Sequence, residues 1–226
     1  MVSAIIVAAG SSTRMGTTDK LFLHIGTKPV ILHTLLQYQK AKSIDEIVVV
    51  TKREKQEEIA ALCRDHSITK VVAIVEGGSD RNASVRCGIA AVSENCTHIA
   101  IADGARPLTD PDDIDKVSAA AEKEGAAILG VPVKDTIKQL SPDGKISITP
   151  PRDILLQAQT PQTFCKETYI KLSDQAMAQS LSVTDDSSIF EAFGHKVTPI
   201  IGSYKNIKIT TPEDILIAEK LMEEMV

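Results

Sequence analysis

A run of small residues after the first apolar stretch has the composition of a phosphate-binding loop. The run spans residues 8–16 and opens with Ala8, Ala9 and Gly10. Small side chains let several backbone N–H groups face one anion, and Arg14 and Lys20 add positive charge, so a polyphosphate is the expected ligand. An ordinary turn with surface charges is the competing interpretation. The spacing matches neither G-x-G-x-x-G nor G-x-x-x-x-G-K-[ST], which disfavours a dinucleotide-binding fold and a P-loop.

A second loop of similar character follows further along the chain. It contains Gly77, Gly78, Ser79, Asp80 and Arg81, followed by Ser84. Two glycines allow close approach of the backbone to a ligand, and short polar side chains can hydrogen-bond to the edge of a base. A plain glycine turn with a helix cap explains the same residues equally well. The loop therefore indicates a nucleotide site only if the fold brings it beside residues 8–16.

A carboxylate and three cations complete the set of candidate residues. Asp103 ends the fourth apolar run, and it is a candidate Mg²⁺ ligand because magnesium takes one or two carboxylates together with substrate phosphates. A turn-forming role for Asp103 is the alternative. Arg106, Arg152 and Lys208 lie in polar surroundings. An isolated Lys or Arg is usually a solvated surface charge, so the interpretation of these three depends on their meeting in the fold.

Composition limits the class of protein. The 226 residues include 25 Lys and Arg against 30 Asp and Glu, for a net charge of −5 at pH 7. That balance disfavours nucleic acid as a partner, since binding to a phosphate backbone needs a basic surface. Apolar runs fall far short of the roughly 18 residues of a membrane span. No secretory signal is evident, and we therefore expect a cytoplasmic protein without a membrane segment.

The length of the chain points to one ordinary globular domain over residues 1–226.

The cysteines and histidines show no pattern of a reactive site. The 4 cysteines show no C-x-x-C spacing and are interpreted as reduced, mostly buried thiols. The 5 histidines have neither metal-ligand spacing nor a partnered nucleophile motif, so we assign them no chemistry.

The elements that must position these residues alternate as βαβ units do. Short β-branched runs predict strands at 4–9, 47–51, 71–75, 98–102, 126–131 and 197–201, and helical periodicity predicts helices at 28–41, 54–66, 82–93, 111–124 and 166–179, another near Thr184 and a last one opened by Thr211. We expect an α/β fold with a Rossmann-like, mostly parallel sheet and helices on both faces. Ligands of such sheets bind at the carboxyl ends of the strands, where the two loops and Asp103 should meet.

A β-arm is predicted where this alternation stops, after Pro132. Residues 133–140 and 145–148 are interpreted as two short strands around the turn at 141–144. An isolated two-stranded arm is marginal unless something packs on it, and a second copy of the chain is the simplest candidate. We therefore expect a protruding arm at about residues 133–158 that mediates a homodimer.

Taken together, the ordered motifs of the chain resemble those of the 2-C-methyl-D-erythritol 4-phosphate cytidylyltransferase family. They are A-A-G-S-S-T-R-M-G at 8–16, K-L-F-L at 20–23, D-G-A-R-P at 103–107, V-P-V-K-D-T at 131–136, Q-T-P-Q-T-F at 159–164, T-D-D at 184–186 and N-I-K-I-T-T-P-E-D at 206–214. The resemblance covers essentially the whole chain. It implies a homodimeric, Mg²⁺-dependent enzyme of the non-mevalonate isoprenoid pathway that makes CDP-methylerythritol and pyrophosphate from CTP.

The resemblance also implies roles for individual residues. Arg14 and Lys20 match the stabilisers of the transition state at the α-phosphate, and Arg152 and Lys208 match the residues that position the attacking phosphate. The implied CTP contacts are Ala8, Ala9, Gly10, Gly78, Ser79, Ser84 and Asp103, with Asp103 also on the metal side, and the implied sugar-phosphate contacts are Arg106, Asp135 and Thr136. In this family the arm reaches into the neighbouring subunit, which would place Arg152 and Thr136 at the partner's site.

The physical demands of such a reaction agree with these roles. Attack of a phosphate oxygen on an α-phosphorus leaves the protein mainly positioning and charge stabilisation to perform. A phosphate monoester with a second pKa near about 6 is mostly dianionic at neutral pH, so no catalytic base is needed.

Three positions of the chain differ from the residues common in the family. Asp19 stands where the family often has Pro, Ser12 where Gly is common, and Ala102 where His is frequent.

Other functions fit parts of the same pattern. The nearest alternative is a sister cytidylyltransferase that uses a pentitol phosphate such as ribitol 5-phosphate. A non-catalytic nucleotide-binding module is another, and a nicotinamide oxidoreductase is disfavoured because its glycine fingerprint is missing.

Overall fold

The computed structural model describes residues 1–10 and 19–224. Its strands are β1 Val2–Val7, β2 His24–Ile25, β3 Lys28–Pro29, β4 Glu46–Thr51, β5 Val71–Glu76, β6 His98–Asp103, β7 Ala126–Pro132, β8 Gln139–Leu140, β9 Ile146–Ile148, β10 Leu156–Cys165 and β11 Thr198–Ile201. Its α-helices are α1 Val30–Lys40, α2 Gln56–Asp65, α3 Arg81–Ile89, α4 Pro111–Glu124, α5 Lys166–Ala178, α6 Ser187–Ala192 and α7 Pro212–Glu223. Short 3-10 helices span Lys20–Phe22, Arg53–Lys55 and Arg152–Ile154.

One large sheet organises the fold. Within the described residues it has seven strands in the order β11-β7-β10-β6-β1-β4-β5. Neighbouring strands run parallel except where β10 lies antiparallel between β6 and β7. The predicted mostly parallel α/β sheet is confirmed. Strand β10 was not predicted, because its sequence, L-Q-A-Q-T-P-Q-T-F-C, is largely polar and contains a proline.

Helices cover both faces of the sheet, as predicted. Alternate residues of a strand point to opposite faces: Ile6 and Val49 pack in one core, and Ile5 and Val48 pack in the other. Helices α1, α2 and α7 contribute buried residues to the first core. Helices α3, α5 and α6 contribute to the second. The loops at the carboxyl ends of β1, β5 and β6 are therefore carried by a framework that is packed from both sides.

Several element boundaries differ from those predicted. Helix α1 begins at Val30 because Lys28 and Pro29 pair with β2 in a small hairpin. Helix α3 ends at Ile89, and Ser93 instead donates its backbone N–H to the buried carboxylate of Glu46 at 2.8 Å. Helix α4 agrees with the prediction, since Asp110 caps its first turn and Gly125 closes it at φ 87°. No α-helix in the described ranges is long and apolar enough to cross a membrane.

The predicted arm is present as a two-stranded antiparallel ribbon of β8 and β9. Its first strand is shorter than predicted, because residues 133–138 are not in a strand and pairing begins at Gln139. Its apolar side chains are largely exposed: Leu140 by 59%, Ile146 by 63% and Ile148 by 52%. Residues 156–158, which the sequence assigned to the arm, instead pair with residues 130–132 as the first part of β10. The arm therefore ends before the central sheet resumes at Leu156.

Candidate active site

A cavity of about 350 Å³ opens at the carboxyl ends of β1, β5 and β6. The predicted residues that line it are Ala8, Ala9, Gly10, Lys20, Gly78, Ser79, Ser84, Asp103 and Lys208. Parallel strands present their carboxyl ends at one edge of the sheet, which explains why residues far apart in the sequence meet here. Arg14, predicted to act beside Lys20, lies outside the described residues.

The loop after β5 packs tightly against the end of β1. A Cβ atom on Gly77 would overlap that of Ala9 and lie 2.9 Å from Ser84 Oγ, so glycine is required for the two loops to approach. Ser84 Oγ accepts the Gly78 N–H at 3.1 Å and donates to the Asp80 carbonyl at 2.8 Å. The Ser84 contacts shape the second loop, and Asp80 caps α3 by accepting the Ala83 N–H at 2.8 Å, so the helix cap of the alternative interpretation is present. The close approach of Gly77 to Ala9 in addition places the loop beside the first, and its role in binding a nucleotide stays a prediction.

Asp103 is an ionised carboxylate held between two cations. Its Oδ2 atom lies 3.0 Å from Lys208 Nζ and 3.3 Å from Arg106 Nε. Burial opposes ionisation, but Lys208 and Arg106 outweigh it and hold the pKa of Asp103 below its ordinary value. The backbone N–H of Asp103 also donates to Thr160 Oγ1 at 3.0 Å, which ties the end of β6 to β10. The carboxylate therefore keeps a fixed charge at the cavity wall.

The Asp103 carboxylate fits a magnesium ion that takes most of its ligands from a bound polyphosphate and from water. In the part of the chain that the structure describes, no group of three or more His, Cys, Asp or Glu side chains could hold a metal ion. Magnesium, however, is commonly bound by one or two carboxylates together with phosphate oxygens and water. Asp103, the ionised carboxylate on the cavity wall, can supply such a single oxygen ligand beside a bound polyphosphate.

Arg81 is a cavity residue to which sequence reasoning assigned no role. It begins α3 beside the second loop, and its guanidinium lies 2.6 Å from Oδ2 of the fully buried Asp186. The Tyr169 hydroxyl donates to the other oxygen of Asp186 at 2.8 Å. From the sequence, the Asp185–Asp186 pair could equally cap a helix or bind a metal. The pairing of Asp186 with Arg81 could not be predicted, since the two residues lie 105 positions apart. The pair anchors the start of α3 and, through it, the second loop.

A second cavity of about 390 Å³ adjoins the first, since Lys208 lines both. Its other lining residues are Arg106, Val131, Gln157, Gln159, Tyr204, Asn206, Ile207 and Thr210. Gln157 and Gln159 belong to β10, the strand that was not predicted. Gln159 stood out only as part of the motif at 159–164, with no role assigned, and Gln157 did not stand out at all. The two cavities meet where Lys208 faces Asp103, and a cation at that boundary can contact anionic groups in both.

The predicted arm residues lie apart from these cavities within one chain. Arg152, Asp135 and Thr136 are exposed and line neither cavity. The Arg152 guanidinium donates to the Lys134 carbonyl at 2.7 Å, across the base of the arm. The roles of these three residues therefore stay predictions that depend on a second subunit.

Asp19, which replaces the proline common in the resembling family, has local partners. Its carboxylate accepts the Leu21 N–H at 3.2 Å and lies 3.6 Å from Lys52 Nζ. Lys52 therefore offsets part of the negative charge next to Lys20.

We expect Asp19→Pro to change kcat and KM for CTP by less than about tenfold, because a partly exposed ion pair contributes little. The backbone φ of Asp19 is −74°, which proline also adopts. Steady-state kinetics with varied CTP measure the effect, and Asp19→Asn serves as the control that removes charge alone. A change well beyond tenfold in Asp19→Pro and Asp19→Asn alike would show that the carboxylate acts on the nucleotide.

Comparison with known proteins connects this geometry with an activity. Residues 2–224 match the family described as 2-C-methyl-D-erythritol 4-phosphate cytidylyltransferase, IspD. Relatives of that name are 41% identical in Dehalococcoides mccartyi, over 99% of this chain and 96% of the relative, and 43% identical in Caldanaerobacter subterraneus subsp. tengcongensis, over 99% of both. The crystal structure of 4-diphosphocytidyl-2C-methyl-D-erythritol synthase from Anaerococcus prevotii is similar with a TM-score of 0.89 and 33% identity, over 98% of this chain and 96% of that one.

Proposed function

Because this chain belongs to the 2-C-methyl-D-erythritol 4-phosphate cytidylyltransferase family, we propose that it transfers CMP from CTP to 2-C-methyl-D-erythritol 4-phosphate and releases pyrophosphate. The observation that carries the proposal is the pair of adjoining cavities that share Lys208. A transfer between two anionic substrates needs two neighbouring sites with positive charge at their boundary, since the reactants repel each other.

CTP occupies the first cavity in this proposal. Gly78 and Ser79 of the second loop and Ser84 of α3 line the part of the cavity assigned to the base. Ser84 Oγ is engaged by the Gly78 N–H and the Asp80 carbonyl and shapes the loop, so the loop carbonyls and the Ser79 hydroxyl are the groups proposed to hydrogen-bond to the base. Ala8, Ala9, Gly10 and Lys20 line the same cavity and are assigned to the phosphates, since small residues let backbone N–H groups face an anion. The Ala8 N–H itself donates to the Val50 carbonyl at 2.7 Å, so the backbone donors of this proposal come from the residues after Ala8. By resemblance, Arg14 adds a second cation beside Lys20 and stabilises charge on the α-phosphate in the transition state.

The acceptor phosphate occupies the second cavity, with Arg106 and Lys208 as its cationic contacts. An oxygen of that phosphate attacks the α-phosphorus of CTP, the new P–O bond forms, and the bond to pyrophosphate breaks. Lys208 faces both cavities and can therefore hold the attacking oxygen in line while offsetting repulsion between the substrates. No side chain needs to remove a proton, because the acceptor phosphate is mostly dianionic at neutral pH.

Magnesium belongs to the proposal as a cofactor. Asp103 would hold it as the single carboxylate ligand on the cavity wall, together with phosphate oxygens of CTP. When bound there, the ion supplies positive charge to the triphosphate and favours departure of pyrophosphate. The ammonium of Lys208 now lies 3.0 Å from Asp103 Oδ2, so the same carboxylate also orients the cation assigned to the acceptor.

A homodimer completes the proposed site. Arg152, Asp135 and Thr136 lie on an arm whose apolar side chains Leu140, Ile146 and Ile148 are exposed, and a second subunit could cover them. Arg152 would then add a further cation to the acceptor phosphate of the neighbouring subunit, which agrees with its absence from both cavities of its own chain.

The test of the proposed function is release of pyrophosphate by the purified protein. With Mg²⁺ and CTP we expect release with 2-C-methyl-D-erythritol 4-phosphate, at a kcat/KM about 100-fold above that with ribitol 5-phosphate. Ribitol 5-phosphate lacks the methyl group and adds a hydroxyl, and a pocket discriminates such differences by about that factor. Omission of the acceptor, or chelation of the metal with EDTA, should abolish release. Preference for ribitol 5-phosphate would contradict the assigned acceptor. Absence of release with either acceptor would instead indicate a binding protein.

A further inference from the structure

A buried amide lies behind the two cations of the second cavity. Asn206 is only 1% exposed, although asparagine is usually a surface residue. It belongs to the segment that connects β11 to α7, and Lys208 follows it by two positions. A buried polar side chain is stable only if its hydrogen-bonding groups are satisfied, so its partners show what it holds together.

The side chain of Asn206 joins three parts of the chain. Its Nδ2 atom donates to Gln159 Oε1 at 3.2 Å and to the Thr160 carbonyl at 3.0 Å, both on β10. Its Oδ1 atom accepts the Thr109 hydroxyl at 2.9 Å, just before α4. Both amide hydrogens and the amide oxygen are therefore used. The connection to α7 is fixed to the central sheet and to the loop that follows β6.

The backbone around Asn206 transmits this anchoring to the cations. The Asn206 carbonyl accepts Arg106 Nη1 at 2.7 Å, and Arg106 Nε lies 3.3 Å from Asp103 Oδ2. On the other side of Lys208, the Ile209 N–H donates to the Ala105 carbonyl at 2.8 Å. Lys208 therefore lies between two anchored residues, and its ammonium reaches Asp103 from a backbone position that Asn206 helps to set.

We propose that Asn206 is a positioning residue for the acceptor phosphate, which it serves by fixing Arg106 and Lys208 relative to each other. The inference rests on the proposed function and deepens it. Asn206, Arg106 and Lys208 all line the second cavity, whereas only Lys208 of the three lines the first. Loss of the amide should therefore weaken use of the acceptor much more than binding of CTP.

The decisive substitution is Asn206→Asp, which keeps the shape of the side chain. An ionised carboxylate cannot donate to Gln159 Oε1 or to the Thr160 carbonyl, and it would attract Arg106 and Lys208 away from their places. We expect kcat/KM for 2-C-methyl-D-erythritol 4-phosphate to fall by roughly tenfold or more, with the Kd for CTP, titrated without acceptor in the presence of Mg²⁺, within about twofold of wild type. Asn95→Asp, at an exposed position, is the matched control and should behave as wild type.

A second variant keeps the inference testable if Asn206→Asp does not fold. Thr109→Val preserves side-chain shape and removes a hydroxyl that lies 2.9 Å from Asn206 Oδ1 and 3.1 Å from the Arg106 carbonyl. Because that hydroxyl ties the Asn206 amide to the Arg106 loop, we expect the same selective loss of acceptor use at a smaller size, about threefold. An unchanged acceptor kcat/KM in the folded variants, or an equal loss of CTP binding, would overturn the inference. Wild-type protein that binds CTP but releases no pyrophosphate with this acceptor would contradict the proposed function itself.

Discussion

Replacement of Lys208 with alanine should reduce CMP transfer by roughly 100- to 1,000-fold, the cost of removing one preorganised charge from a transition state. Lys208 lines both cavities and lies 3.0 Å from Asp103. Its loss removes the cation that we propose offsets repulsion between the two substrates. Asp103 is buried and pairs with two cations, Lys208 and Arg106. Without Lys208, only the ion pair with Arg106 remains of these two.

The distribution of this loss between kinetic constants is part of the prediction. The KM for 2-C-methyl-D-erythritol 4-phosphate should rise and kcat should fall, whereas CTP affinity should change little, since other residues surround the nucleotide. Lys208→Arg retains the charge and should recover part of the rate. Lys205→Ala is the matched control, because Lys205 lies in the same segment and lines neither cavity. Activity of Lys208→Ala close to that of wild type would remove Lys208 from its assigned role.

Subunit mixing should restore activity to two variants that are inactive alone. If Arg152 serves the partner's site, a dimer of one Arg152→Ala subunit and one Lys20→Ala subunit contains one complete site and one that lacks both cations. We expect each variant alone to lose at least about 100-fold in kcat. The purified mixed dimer should recover roughly half of the wild-type rate per dimer, because one of two symmetric sites is intact.

The mixed dimer can be isolated by co-expression with two different affinity tags and sequential purification. Dimers with both tags that carry Lys20→Ala in each subunit control for an effect of the tags, and they should stay inactive. Mixed dimers without recovered activity would indicate that Arg152 acts within its own subunit. A monomeric protein at assay concentration, measured by sedimentation, would contradict the proposed assembly.

Local patterns were sufficient for much of the fold and for the nucleotide half of the candidate site. Strands such as β1, β4 and β6 are mostly apolar, with few polar residues, because both faces of the sheet are covered, and such runs are visible in the sequence. The starts of α4 and α7 could be predicted from their capping residues, because a cap acts within one turn of the helix and is therefore visible in the local sequence. Parallel topology then required the two glycine-containing loops and Asp103 to share one edge of the sheet.

The acceptor half of the site depended on contacts that local patterns do not contain. Strand β10 is largely polar, and Gln159 and Thr160 are stable inside the fold because Asn206, more than 40 residues later, satisfies them. Its antiparallel place between β6 and β7 is likewise a long-range pairing. Periodicity reports which face of an element is apolar, and it carries no information about which distant polar group will complete a buried hydrogen bond.

The α/β class, the two loops proposed to face the nucleotide, the candidate cations and the family to which their motifs belong could all be predicted from the sequence. The folded chain was needed to find that Lys208 lines two cavities, that Asp103 pairs with both Lys208 and Arg106, and that Arg81 pairs with Asp186. The difference lies in the range of the interactions. Helix caps and apolar alternation act between near neighbours in the chain, whereas burial brings together charges and amides that are separated by up to about a hundred residues.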